Sequence, residues 1–116
     1  MTSQTKAPSG VPIEVGADWF EAEVATSNLP VLLDVWAPWC GLCRMVAPAV
    51  DALAAEYAGR VKVAKLNADE AGELVGRLGI RGIPTLLFFR DGREVSRKVG
   101  AAALPDLRRE VEQLLS

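Results

Sequence analysis

The two cysteines of this chain, Cys40 and Cys43, are its best candidates for chemistry, and only Gly41 and Leu42 separate them. They stand where an apolar segment gives way to a helical pattern. In the first turn of a helix, unpaired backbone N–H groups and the positive end of the helix dipole stabilise a thiolate and lower the pKa of a thiol. Cys43 would lie one turn further along the same face, within bonding reach of Cys40. The spacing predicts a pair that cycles between dithiol and disulfide.

Two other uses of the cysteine pair remain open on spacing alone. One is a purely structural disulfide, although a loop this short contributes only about 2 kcal/mol by the chain-entropy estimate. The other is half of a zinc site completed by a second chain, but the sequence has two cysteines and no histidine to support it. The residues favour redox chemistry over a structural bridge or a metal half-site.

An acid and an amine are the next candidates. Asp34 interrupts the otherwise apolar segment Val31–Trp36, which predicts a buried carboxyl group. Burial raises the pKa of such a group, so it could exchange a proton with a thiol near neutral pH. A solvated or ion-paired acid at the end of a strand is the alternative. Lys65, on the neighbouring predicted strand, could approach Asp34 and moderate that shift, or extend into solvent as an ordinary surface lysine.

Composition narrows the class of protein. A chain of 116 residues has room for one domain and one core. Thirteen basic against fifteen acidic residues, with no basic run, argue against nucleic acid as a partner. No apolar run approaches the roughly 20 residues that span a bilayer, so no membrane partner is expected. The absence of histidine removes His-dependent triads, and the N-terminus lacks a secretory h-region, which favours the cytoplasm.

Hydrophobic periodicity predicts an α/β fold with a mixed central β-sheet of about five strands, flanked by about four helices. We expect a flexible tail over residues 1–11 and one domain over 12–116. The predicted order is strand, helix, strand, helix, strand, helix, strand, strand, helix. The elements are expected at 13–15, 18–25, 31–36, 40–59 with a bend at Pro48, 61–67, about 74–79, 85–89 and 94–99, with a hairpin turn at 90–93 and a last helix near the C-terminus.

At several separated positions the chain resembles the thioredoxin family, from about Ile13 to Leu115. The shared residues include Asp34, the lead-in Trp36-Ala37-Pro38-Trp39-Cys40-Gly41, Pro48, Ala64-Lys65-Leu66-Asn67, Gly79-Ile80-Arg81-Gly82-Ile83-Pro84-Thr85 and Val99-Gly100-Ala101. The resemblance implies a thioredoxin fold and a protein-disulfide reductase that binds no metal and no cofactor. Its redox centre would be a Cys40–Cys43 disulfide.

Residue roles follow from the same resemblance. Cys40 would be the exposed nucleophile that attacks a substrate disulfide, and Cys43 the resolving thiol. Asp34 would be a buried acid/base with Lys65 beside it. A NADPH-dependent thioredoxin reductase would restore the dithiol, and a monomer is expected.

The resemblance also implies a shallow apolar groove for an extended peptide of a disulfide-containing protein, bound partly by β-augmentation. Pro84 would follow a cis peptide bond. The residues expected to bind substrate are Trp39, Gly41, Leu42, Ile83, Pro84, Gly100 and Ala101.

Leu42 departs from the family pattern, which usually has proline between the glycine and the second cysteine. Leucine restores a backbone N–H, and if that group points at Cys40 it stabilises the thiolate and makes the disulfide a stronger oxidant. A thiol oxidant or isomerase is therefore one alternative function. Glutathione-fed chemistry fits the flanking tryptophans less well. A binding subunit that uses the groove, with incidental thiols, is an alternative from another class.

Overall fold

The computed structural model describes residues 10–116. The tail expected over 1–11 lies mostly outside the described residues; Gly10 and Val11 form a bend before the first strand. Five strands make one sheet, with bounds within a residue or so of those the sequence predicts. They are β1 (Ile13–Val15), β2 (Val31–Trp36), β3 (Lys62–Asn67), β4 (Thr85–Arg90) and β5 (Arg93–Val99).

The sheet is mixed, in the order β1-β3-β2-β4-β5. β1 and β2 pair parallel to β3, whereas β4 runs antiparallel to both β2 and β5. β2 therefore occupies the centre, as its apolar sequence predicts, because only a strand covered on both faces hides nearly every side chain. The carboxyl end of this strand leads directly to the cysteines.

Three α-helices and one irregular helical segment flank the sheet, which confirms the predicted α/β class. The α-helices are α1 (Gly41–Glu56), α2 (Gly72–Arg77) and α3 (Leu104–Leu115). α1 ends before the expected Gly59 because the amides of Arg60 and Val61 both bond back to the carbonyl of Tyr57, closing a turn.

The single helix expected over Asp18–Ala25 is wrong in type. A 3₁₀ turn, Ala17–Trp19, precedes a π-helical turn, Glu21–Ala25. At the end of this segment the Thr26 amide donates to the carbonyl of Glu21, 3.1 Å away, and the Thr26 hydroxyl lies 3.1 Å from the same oxygen. A side chain that bonds the backbone in this way competes with regular α-helical bonding.

The two faces of the sheet carry two separate apolar clusters, and these decide which way the functional side chains point. Along β2, Leu32 packs with α1 and α3, while Leu33 packs with the irregular segment and α2. Side chains alternate along a strand, so Asp34 and Trp36 share the face of Leu32. Lys65 shares that face with Val63, by the same alternation on β3.

A buried ion pair lies on the opposite face, away from the cysteines. Lys62 Nζ is 3.0 Å from Glu23 Oε1 and 3.2 Å from the Glu23 carbonyl oxygen, and both side chains are almost fully buried. Each charge has its hydrogen-bond partner, which is the condition for tolerating charge in a core. The pair fastens the irregular segment to β3.

The predicted hairpin turn between β4 and β5 is confirmed by positive φ at both central residues, Asp91 (55°) and Gly92 (78°). A Cβ on Gly92 would also collide with the backbone carbonyl of Ala25. We expect Gly92→Ala to lower the free energy of unfolding by roughly 2 kcal/mol. Gly59→Ala is the matched control, because Gly59 has a similar φ (84°) but open space around it. Equal losses in urea denaturation of the two variants would contradict the steric argument.

Candidate active site

The cysteine pair sits at the start of α1 and is closed as a disulfide, as the spacing predicts. Cys40 is the N-cap residue, with extended backbone angles (φ −90°, ψ 111°), and Cys43 lies in the first turn. Their Cα atoms are 5.2 Å apart. The backbone N–H of Cys43 donates to Cys40 Sγ at 3.1 Å, so a sulfur takes the place of the usual side-chain oxygen of a helix cap. A thiolate on Cys40 would be stabilised by the same amide.

The expectation that Cys40 is exposed is wrong for this disulfide form. Cys40 is 6% exposed, close to the 4% of Cys43. Both cysteines pack with Ala37 and Ile83, and the carbonyl oxygen of Ile83 lies 3.9 Å from Cys40 Sγ. The exposed side chains around the disulfide are those of Trp39, which is 67% exposed, and Leu42, which is about half exposed. A substrate sulfur would therefore have to approach through an apolar rim.

Asp34 is buried on β2, the strand that leads to the cysteines, and one of its carboxylate oxygens has no hydrogen-bond partner among the described residues. Desolvation raises the pKa of this carboxyl from 3.8 to about 6, against the opposing positive charge of Lys65. The prediction of a buried carboxyl with a raised pKa is confirmed. A group of this pKa changes its protonation state within the range where thiol exchange operates.

Lys65 stands beside Asp34 but forms no ion pair with it. The two residues are register partners across β3 and β2. The Lys65 ammonium instead lies 4.6 Å from the centre of the Trp36 ring, a cation–π geometry. Trp36 in turn packs against the cluster of the two cysteines. Lys65 is half-buried and in contact with an aromatic ring, rather than a fully solvated surface residue.

The loop opposite the cysteines contains the expected cis peptide bond between Ile83 and Pro84. The amide of Gly100 donates to the Pro84 carbonyl at 2.8 Å, which joins this loop to the end of β5. Ile83 of this loop therefore lies next to Cys40, and Pro84 joins the loop to Gly100. Gly41 follows Cys40 in the sequence and Ala101 follows Gly100, and both residues are exposed. Neither forms a backbone hydrogen bond with the Ile83–Pro84 loop.

Sequence reasoning missed three contacts that shape the rim. The Trp39 indole N–H lies 3.0 and 3.1 Å from the two carboxylate oxygens of Asp69, and the Asn67 side chain accepts from the Asp69 amide. Arg44 donates to the carbonyl of Pro38 at 2.7 Å, tying α1 to the loop before it. The pattern Asn-x-Asp after a strand could have suggested the turn, but nothing local indicated its tryptophan partner.

The amide of Leu42 is not the donor that the sequence suggested. The N–H that reaches Cys40 Sγ belongs to Cys43 instead, one residue further along. As N-cap, Cys40 accepts from the third residue of the helix, and this is where N-cap side chains normally bond. The first turn of a helix leaves its other amides without partners inside the helix, so Leu42 contributes only through the helix dipole.

A disulfide at a helix N-terminus, facing a cis-proline loop on a mixed sheet, defines a thiol-disulfide oxidoreductase. The chain matches the profile of the family described as Thioredoxin over residues 11–113, and it belongs to the thioredoxin family. It is 49% identical over 96 residues to "Thioredoxin 1" of Nostoc sp. (strain PCC 7120 / SAG 25.82 / UTEX 2576), covering 83% of this chain and 90% of that protein.

Two further relatives of this chain are also named thioredoxins. Identity to "Thioredoxin" of Synechocystis sp. (strain ATCC 27184 / PCC 6803 / Kazusa) is 50% over 96 residues, which is 83% of this chain and 90% of that protein. Identity to "Thioredoxin M-type, chloroplastic" of Pisum sativum is 44% over 110 residues, 95% of this chain and 63% of that protein. The chain is a protein-disulfide reductase that works by thiol/disulfide exchange, and Cys40–Cys43 is its redox-active disulfide.

Within residues 10–116, no group of three or more His, Cys, Asp or Glu side chains is arranged to hold a metal ion. No helix in that part of the chain has the length and apolar character needed to cross a membrane.

Proposed function

We propose that Cys40 is the attacking thiol of this reductase and Cys43 the resolving thiol. The Cys40 thiolate attacks one sulfur of a substrate disulfide, forms a mixed disulfide, and the other substrate sulfur leaves as a thiolate that takes up a proton. Cys43 loses its proton and attacks Cys40, which releases the second substrate thiol and forms the Cys40–Cys43 disulfide. The substrate gains two electrons and the protein loses them.

The observation that carries this assignment is the Cys43 amide directed at Cys40 Sγ. A sulfur that accepts a backbone N–H at a helix N-terminus is the better thiolate of the two, and the thiolate is the nucleophile. The test is turnover of a disulfide-containing protein by the reduced chain, together with its redox equilibrium against a reference dithiol. A potential well above that of the glutathione pool would favour the oxidant function instead.

Asp34 is the proton acceptor for Cys43 in this proposal, with Lys65 as its charged neighbour. Support comes from the burial of Asp34 and from its pKa of about 6, which leaves most molecules with a carboxylate at neutral pH. The carboxylate takes the proton of the resolving thiol while the mixed disulfide excludes bulk water. Lys65 favours the carboxylate and so keeps the acceptor in its active form.

We assign the substrate peptide to the surface that Trp39, Leu42 and Ala101 expose around the disulfide, together with Gly41 and the Ile83–Pro84 loop. Support comes from the exposed apolar side chains there and from the closeness of the Ile83 carbonyl to Cys40 Sγ. In that loop the Pro84 carbonyl already accepts a hydrogen bond from the Gly100 amide, so it is not free to pair with a substrate. A substrate strand would therefore pair with the backbone of Ile83.

The proposed electron donor is a NADPH-dependent thioredoxin reductase, and the proposed state is a cytoplasmic monomer. A reductant needs a compartment that keeps thiols reduced, which the cytoplasm provides. Support for the donor comes from family membership alone. NADPH oxidation with such a reductase and a disulfide-containing protein tests the donor, and light scattering over a concentration series tests the monomer.

Replacing Leu42 by proline should make the protein slightly more reducing. Proline is tolerated in the first turn of a helix, where it removes the Leu42 amide but leaves the Cys43 donor in place. One helix-dipole contribution of 0.3–1 kcal/mol corresponds to about 5–20 mV in a two-electron couple. Equilibration with a reference dithiol measures the potential.

Leu42→Ala is the matched control for Leu42→Pro, because it removes the apolar side chain and keeps the amide. Its potential should stay within about 5 mV of the wild type. An equal or higher potential in the proline variant would contradict the account.

A further inference from the structure

Glu14, on the edge strand β1, belongs to a row of three charges across the sheet. Its register partner on β3 is Lys65, and the register partner of Lys65 on β2 is Asp34. Register partners point to the same face, so carboxylate, ammonium and carboxylate lie side by side on three neighbouring strands. With strands about 4.8 Å apart, the backbones of Glu14 and Asp34 are separated by roughly 10 Å.

Lys65 forms an ion pair with neither Glu14 nor Asp34. Among residues 10–116 no carboxylate oxygen lies within 4.0 Å of its ammonium group, which rests over the Trp36 ring. Its positive charge is therefore shared between an exposed acid and a buried one. The negative field of Glu14 at Asp34 therefore offsets part of the positive field of Lys65 there.

We propose that Glu14 is a positioning residue for the exchange reaction. Its carboxylate opposes the field of Lys65 at Asp34 and thereby sets how readily Asp34 binds a proton. The consequence for catalysis rests on the proposed acid/base role of Asp34. Glu14 lies on the edge strand and in this proposal acts only through the field along the row.

The other groups around Asp34 do not cancel the opposing effects of Glu14 and Lys65 on its carboxyl. Glu14 and Asp51, from β1 and α1, both raise the pKa of Asp34 further after burial has raised it, and Lys65 opposes them. On the remaining side the partner of Asp34 is Leu86 of β4, which carries no charge. The Cys40–Cys43 disulfide is uncharged as well. Lys65 is thus the one positive charge in this set, and Glu14 is its register neighbour.

The test is the pH titration of the Asp34 carboxyl in the whole oxidised protein, followed by carbon-13 NMR at low ionic strength. Glu14→Gln should move the midpoint down by roughly half a pH unit, as expected for removing a unit charge about 10 Å away. Glu14→Asp keeps the charge and should restore the wild-type midpoint. Glu73→Gln, an exposed acid on α2, controls for the loss of one negative charge elsewhere.

Salt separates the electrostatic effect from a structural one. Glu14 is exposed, so the difference between wild type and Glu14→Gln should shrink towards zero at 1 M salt, where the screening length is about 3 Å. No shift at low salt, the same shift in Glu14→Asp, or a shift that persists at 1 M salt would overturn the inference.

A second readout keeps the inference distinct from the proposed function. The acidic limb of the exchange rate against pH should move with the NMR midpoint in Glu14→Gln. If the midpoint moves and the rate profile does not, the influence of Glu14 on Asp34 stands and the acid/base role of Asp34 is wrong.

Discussion

Cys40→Ser is expected to abolish reductase activity, with kcat/KM falling at least about 10³-fold in turnover of a disulfide-containing protein. A serine hydroxyl is not ionised near neutral pH and forms no mixed disulfide. The amide of Cys43 that stabilises sulfur in the native protein would have only a neutral hydroxyl to bond. The fold should persist, because the short loop closed by the disulfide contributes only about 2 kcal/mol.

Cys43→Ser is the matched control, since it removes the proposed resolving sulfur and keeps the proposed attacking one. This variant should still attack one substrate disulfide and then stop, so a mixed disulfide accumulates at one substrate per protein. Mass spectrometry under non-reducing conditions measures that adduct. If Cys40→Ser forms the adduct and Cys43→Ser does not, the two roles are reversed. Disulfide turnover that persists in both variants would contradict the roles proposed for the two thiols.

Much of this site could be predicted because its signals are local in the chain. Cys40 and Cys43 lie one helical turn apart, and Asp34 interrupts a short apolar strand, so spacing alone places the thiols and buries the acid. Asp91 and Gly92 specify their hairpin through their own backbone preferences. In each case the residue and the structure it determines lie within a few positions of one another.

What could not be predicted depends on contacts between distant parts of the chain. Ile83, 43 residues from Cys40, covers the cysteine that sequence reasoning expected to be exposed. Asp69 is 30 residues from the tryptophan that it orients. The charge row through Glu14 depends on the pairing order of three strands, which no local pattern specifies. The irregular segment is the exception, because its cause is local: the hydroxyl of Thr26 bonds to the carbonyl of Glu21, five residues earlier.

Asp34→Asn should make the stability of this protein less dependent on pH. Burial raises the pKa of Asp34 above its value in the unfolded chain, so the folded state binds this proton more tightly. The stability it contributes is therefore fully present below about pH 4 and is lost as the pH rises through about 6. Above that range the ionised group costs about 3 kcal/mol, at 1.36 kcal/mol for each pKa unit.

Asparagine is uncharged at every pH and has nearly the same shape, so the variant lacks this loss. Relative to wild type, its free energy of unfolding should rise by about 2.5 kcal/mol between pH 4 and pH 8, measured by urea denaturation of the oxidised proteins. Any constant packing or hydrogen-bond cost of the amide cancels in that difference. Asp18→Asn, at an exposed position, controls for the loss of one negative charge. The same stability difference at both pH values would contradict a raised pKa.

The proposed mechanism links this stability cost to catalysis through the same proton. If the Asp34 carboxylate accepts the proton of Cys43 as proposed, Asp34→Asn should lose that function while it gains stability at neutral pH. The exchange rate of the wild type should fall as the pH drops through about 6, the pKa of Asp34. In Asp34→Asn this fall of the exchange rate near pH 6 should disappear, and the rate at pH 7 should be lower than that of the wild type. A variant that gains stability and keeps the wild-type rate profile would show that the cysteines lose their protons by another route.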